Sequence, residues 1–207
     1  VGLIGIIRAI LSVFLQLGLK TLLKIMRVPI NLNPKFRASL NPSFNGRINP
    51  RINSRINPMF NSRINPRFCS AINPSFNSRI TPRFNSLINP RLNTLLNPDL
   101  NDSINPKRNI RLNPNLNGNI ACPFLFNLNK EAMGFLVRLS CIEKLAFVAF
   151  DDNLERTMYL FSNHQEGLNV FDIENNWMGY CVSTDVGYNF YNIDGEWIAF
   201  IIDPTKR

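Results

Sequence analysis

The chain has 207 residues, room for one or two domains, and a formal net charge of +9. It holds one histidine, His164, and four cysteines, Cys69, Cys122, Cys141 and Cys181, none spaced as CxxC. That inventory speaks against a zinc centre and against histidine-based catalysis. The charge is split: residues 1–119 hold 17 basic and 2 acidic side chains, residues 120–207 hold 6 and 12, so +15 stands beside −6. Such an asymmetry predicts an anionic partner for the first part, or attraction between copies of the chain.

Residues 1–30 form the first region. Its polar residues Arg8, Ser12, Gln16, Lys20, Lys24 and Arg27 recur at steps of four and then three, a single stripe on a helix, and Pro29 ends the pattern. The expectation is an amphipathic α-helix with a wide apolar face that includes Ile7, Leu11, Phe14, Leu15 and Leu22. It would pack in an assembly or lie in a membrane interface, its uncharged run being too short to span one, with burial against the chain's own C-terminal domain as the third reading. No secretory signal pattern is evident.

Residues 31–120 contain eleven tandem copies of an eight-residue unit, idealised as Ile-Asn-Pro-Arg-Phe-Asn-Ser-Arg, with proline in its third slot from Pro34 to Pro114. A period of four lies within it: an apolar residue, then Asn, then Pro or a small residue, then a variable one. Arg108 is the one break in the apolar slot, and Arg37, Cys69 and Thr81 are the breaks in the Asn slot. Regular prolines exclude helix and disfavour a sheet, whereas Asn followed by Pro or Ser is turn chemistry. A turn in every tetrad predicts a β-solenoid of about 16 residues per coil, apolar residues inward and stacked. Its core would comprise Ile48, Phe60, Ile64, Phe68, Ile72, Phe76 and Phe84. Arg47, Arg51, Arg55, Arg63, Arg67, Arg79, Arg83 and Arg91 take the variable slot and would form basic columns outside.

Residues 121–207 are acidic and aromatic. A short helix is expected from Asn129 to about Leu145, then strands over Leu145–Phe150 and Thr157–Phe161 around an Asp151-Asp152-Asn153 turn. Val170–Val182 aligns with Phe190–Ile202 at a constant offset of 20, placing Trp177 on Trp197. The Asp194-Gly195 pair signals a hairpin turn. Trp177, Tyr180, Trp197 and Phe200 are the expected core of this antiparallel β-hairpin module. The cysteines read as reduced, mostly buried thiols, with a Cys122–Cys141 disulfide left open.

The repeat resembles the pentapeptide- and hexapeptide-repeat solenoid families in its logic of one short unit per side, although its period departs from both. The paired hairpins resemble the small bacterial proteins described as four-fold β-flowers, which implies a compact β module without established chemistry.

The fold class expected is mainly β: an N-terminal helix, a central solenoid and a C-terminal hairpin module. No catalytic, cofactor or metal site is expected. The function expected is that of a non-enzymatic structural protein that assembles with itself into a filament or tube. The alternative is a membrane-associated binding or effector protein, with an anionic membrane surface as partner and a membrane-associated or extracellular location. Nucleic acid is the weaker partner, because Phe residues in the inward slot would leave no aromatic rings to interleave with the arginines.

Overall fold

A computed structural model describes residues 26–140, 142, 144–163 and 165–206. The helix expected over 1–30, with Ile7, Leu11, Phe14, Leu15 and Leu22, falls almost wholly outside these residues, as do Cys141 and His164. Among the described residues there is no α-helix.

Eight antiparallel strands close into a barrel, each paired with its sequence neighbours and β1 with β8. They are β1 (Phe124–Asn127), β2 (Ala132–Arg138), β3 (Ala146–Phe150), β4 (Arg156–Ser162), β5 (Leu168–Asp172), β6 (Trp177–Thr184), β7 (Gly187–Asn192) and β8 (Trp197–Ile202). The helix expected from Asn129 is instead strand β2. Its sequence AMGFLVR buries alternate side chains on two different surfaces, as a strand with both faces covered requires.

The barrel is four copies of one hairpin. Each carries a bulge just before its turn, after Leu125, Ala149, Val170 and Phe190. Each turn is five residues long, from Asn127, Asp151, Asp172 or Asn192 to Glu131, Glu155, Asn176 or Glu196. The first side chain of each accepts the backbone N–H of the last. The fourth residue of each, Lys130, Leu154, Asn175 or Gly195, has positive φ, between 64° and 84°.

Alternation along the strands separates two sets of side chains. Leu125, Leu136, Ala149, Leu160, Val170 and Ile201 belong to the inner cluster, to which all eight strands contribute. Gly134 and Gly179 sit beside the bulges, where a Cβ would come within 2.4 and 2.2 Å of the Phe150 and Tyr191 carbonyl oxygens, so the strands need glycine there. The outer set is aromatic. Phe126 stacks on Phe200, Phe135 on Phe150 and Tyr180 on Tyr191, with ring centroids 5.5 to 5.7 Å apart.

That outer face is covered by the repeat, which forms a belt of consecutive turns. In each tetrad the Asn carbonyl accepts the N–H of the next apolar residue, as from Ile52 to Asn49 at 3.1 Å, and the Asn side-chain oxygen accepts the N–H two residues on, as from Arg51 at 2.9 Å. The same side chain then donates backwards. Asn49 reaches the Pro42 carbonyl at 2.9 Å and Asn53 the Arg47 carbonyl at 2.7 Å, linkages of seven and six residues that recur along the belt. Consecutive coils are thus eight residues long and are joined by asparagine side chains.

This overturns the β-solenoid. No strand forms between residues 30 and 119. The tetrad turns consume the backbone donors that a ladder would need, and the coil closes after eight residues instead of about 16. The resemblance to solenoid families falls with it.

The belt runs round the barrel. The Ile48 carbonyl accepts from Asn189 on β7 and the Ile72 carbonyl from Asn169 on β5. Asn89 accepts from Asn175 in the β5–β6 turn, Asn97 from Arg156 at the start of β4, and Asn115 donates to Asp152 in the β3–β4 turn. Leu32 and Leu40 near its start share one apolar cluster with Leu96, Ile104 and Ile120 near its end, together with barrel rings such as Phe126 and Phe135.

Candidate interaction surface

Two tetrads per coil give two apolar slots with opposite fates. The slot before Asn-Pro faces the barrel: Ile48, Ile72 and Ile80 are buried, and Ile56 and Ile64 are half-buried against Tyr180, Val182 and Tyr191. The other slot faces away. Phe36, Phe44, Ile52, Phe60, Phe68 and Phe76 stand in it, followed by Phe84, Leu92, Leu100 and Leu116, each 66–77% exposed. Phe60, Phe68, Phe76 and Phe84 are therefore not core residues as the solenoid required; they form a solvent-facing apolar ridge. The difference is geometric: an eight-residue coil turns two corners, and only one can meet the barrel.

Arginines border the ridge on both edges. The slot after proline leans to the hairpin turns: Arg67 pairs with Asp194 at 2.5 Å, Arg83 donates to Asn176 at 2.6 Å, and Lys107 pairs with Glu155 at 2.6 Å. The slot before the inward residue leans to the opposite barrel end, where Arg55 borders the 163–167 loop. Arg47, Arg55, Arg63, Arg79 and Arg91 are exposed, and no ion pair forms on any of them among the described residues. Arg51 lies beside Trp197 and Lys130. Residues 35–92 carry 10 basic side chains and no acidic one. Beyond them the character fades: Asp99 pairs with Arg156, and Arg108, standing in the ridge slot, pairs with Asp102 at 2.6 Å.

The aromatic residues expected in the β-module core lie on the barrel's outer face under the belt. Tyr180 and Phe200 are fully buried there; Trp177 and Trp197 are half-buried, and the Trp177 indole N–H donates to the Gly179 carbonyl at 2.7 Å. Asn169 and Asn189 fasten the belt together with Tyr191, whose hydroxyl donates to the Ile56 carbonyl at 2.6 Å, and none was legible as such. Each interrupts an apolar strand with a polar group, the one signal available. Cys69, Cys122 and Cys181 carry free thiols, and burial pushes that of Cys122 up to about 12. Among the described residues no three His, Cys, Asp or Glu side chains group as metal ligands, and no helix is long and apolar enough to cross a membrane.

Searches against family models, curated proteins and solved structures find no match. Neither the solenoid families nor the β-flower proteins are supported as relatives.

Proposed function

We propose that this chain is a non-enzymatic membrane-associated binding protein that seats on anionic lipid surfaces through the arc of belt from Phe36 to Leu92. The observation that carries this reading is the exposed apolar ridge with cations along both edges. Contiguous exposed apolar surface marks an interaction site, and apolar side chains set among arginines suit the boundary between headgroups and acyl chains. Each basic side chain near an acidic bilayer contributes about 1 kcal/mol. The ridge slot of this arc holds six Phe residues with Ile52 and Leu92. Hydrocarbon accepts all three, whereas bases stack only on the rings. Ile52 and Leu92 thus favour lipid over single-stranded nucleic acid, while the six outward Phe residues remove the earlier objection to the latter.

Self-assembly through the same ridge is the second reading, favoured by the length of the exposed row. Co-sedimentation with vesicles of phosphatidylcholine, with and without phosphatidylserine, separates the two. The expected result is binding to the acidic vesicles alone, weakened by salt. Replacing Phe68, Phe76 and Phe84 with Ser should lower it more than tenfold, as should replacing Arg47, Arg55, Arg63 and Arg79 with Ser. Lipid-independent growth of large particles, or retention of RNA but not vesicles, overturns the membrane reading.

A further inference from the structure

A second site lies where the end of the belt meets the barrel. A half-open cavity of about 770 Å³ separates them, within the range of roughly 300–1,000 Å³ typical of small-molecule sites. The belt supplies one wall through Ile104, Leu112 and Ile120, and the barrel the other through Val137, Leu136 and Phe147. Leu136 and Phe147 belong to the inner cluster, so the space reaches the end of the barrel interior. Among the described residues the polar lining is Arg111, Arg138, Ser103, Ser140 and Thr205, with Asn101 and one acid, Asp203. Asp203 is buried, and its Oδ1 already accepts the Thr205 N–H at 2.9 Å and hydroxyl at 2.8 Å. The described lining therefore carries a net charge of +1, with its one carboxylate partnered from within the chain.

We infer that this cavity binds one single-chain anionic amphiphile, its hydrocarbon tail between the belt and β2 and its carboxylate against Arg111 and Arg138. Arg111 and Arg138 are exposed where they line the cavity, so an anionic head group gains two charge-assisted partners there that a neutral one does not, while the apolar walls favour a hydrocarbon tail. The site is separate from the outward ridge and does not depend on the membrane reading.

Displacement of cis-parinarate by palmitate, below micelle-forming concentration and without vesicles, is the direct test. The expected result is one saturable site per chain, with hexadecanol at least tenfold weaker than palmitate. Replacing Arg111 and Arg138 with Ser should remove that preference, and the Phe68, Phe76 and Phe84 to Ser variant should bind as the parent does. Val137→Trp, filling the cavity, should abolish binding. Should that variant fail to fold, peptide-resolved hydrogen exchange of the parent replaces it. Palmitate should slow exchange in the peptides that carry Ile120 and Val137, which line the cavity, and leave those around Cys69, away on the belt, unchanged. Absence of saturable binding, or binding that leaves exchange in the cavity peptides unaltered, overturns the assignment.

Discussion

At the scale of single residues, the asparagines of the repeat are the structural cement. Asn73 is buried, accepts the Ser75 N–H at 2.8 Å and donates to the Pro66 carbonyl at 2.9 Å. Thr81 stands in the equivalent slot one coil later and meets the same need, its hydroxyl donating to the Pro74 carbonyl at 2.7 Å. The role is thus a donor directed at the preceding coil, and asparagine fills it best because the same side chain also closes its own turn. Replacing Asn73 with Ala leaves the Pro66 carbonyl without that partner and should cost about 1–3 kcal/mol, read from the urea midpoint. Cys69 is a natural contrast: its side chain caps no turn. The strict Asn spacing was visible in the sequence; its reach of seven residues was not, because a side-chain bond across coils leaves no periodic trace beyond the repeat itself.

At the scale of elements, the four hairpin turns carry the clearest internal comparison. Asn127 and Asn192 open two of them; Asp151 and Asp172 open the other two. Burial of the Asp151 carboxyl raises it above the ordinary carboxylate range, although the Glu155 and Asn153 backbone N–H groups donating to it pull the other way. An acid raised in the folded state contributes stability that is full below its unfolded value and lost as pH rises through the folded one. At neutral pH the charged form is therefore a burden, and Asn at this position keeps the same acceptor without it. Asp151→Asn should raise the urea midpoint at neutral pH, and its advantage should shrink as pH falls through the mildly acidic range. An unchanged difference at both pH values would count against desolvation as the cause. Two of the hairpins were readable from their 20-residue offset. The first was masked because Asn129-Lys130-Glu131-Ala132 also reads as a helix start, and only pairing with β1 and β3 makes β2 a strand.

At the scale of the whole molecule, belt and barrel complete each other. The barrel's outer rings would be bare without the inward Ile and Leu residues, and the belt's inner row would be bare without the rings. Residues 121–207 alone should therefore bind hydrophobic dyes and melt without a cooperative transition, whereas residues 26–207 should melt as one unit; a monomeric, cooperatively melting fragment would show the barrel to be self-sufficient. The opposite charges of the two regions meet within the chain, at Arg67–Asp194 and Lys107–Glu155, instead of only between copies. These pairs are exposed and worth about 0–1 kcal/mol each, so they orient the belt more than they hold it.

The eight-residue repeat, the turn in every tetrad, the exclusion of α-helix by proline and the hairpins of the last third are legible in the amino-acid order alone, because all of these are set by local backbone chemistry. Which apolar slot turns inward, how many residues close a coil and whether eight strands close into a barrel were decided only by tertiary contact. Ile48 and Phe60 occupy equivalent places in the four-residue pattern, yet one is buried and the other three-quarters exposed. Hydrophobicity calls for burial without naming the surface, and the barrel offers its aromatic face to one corner of each coil alone.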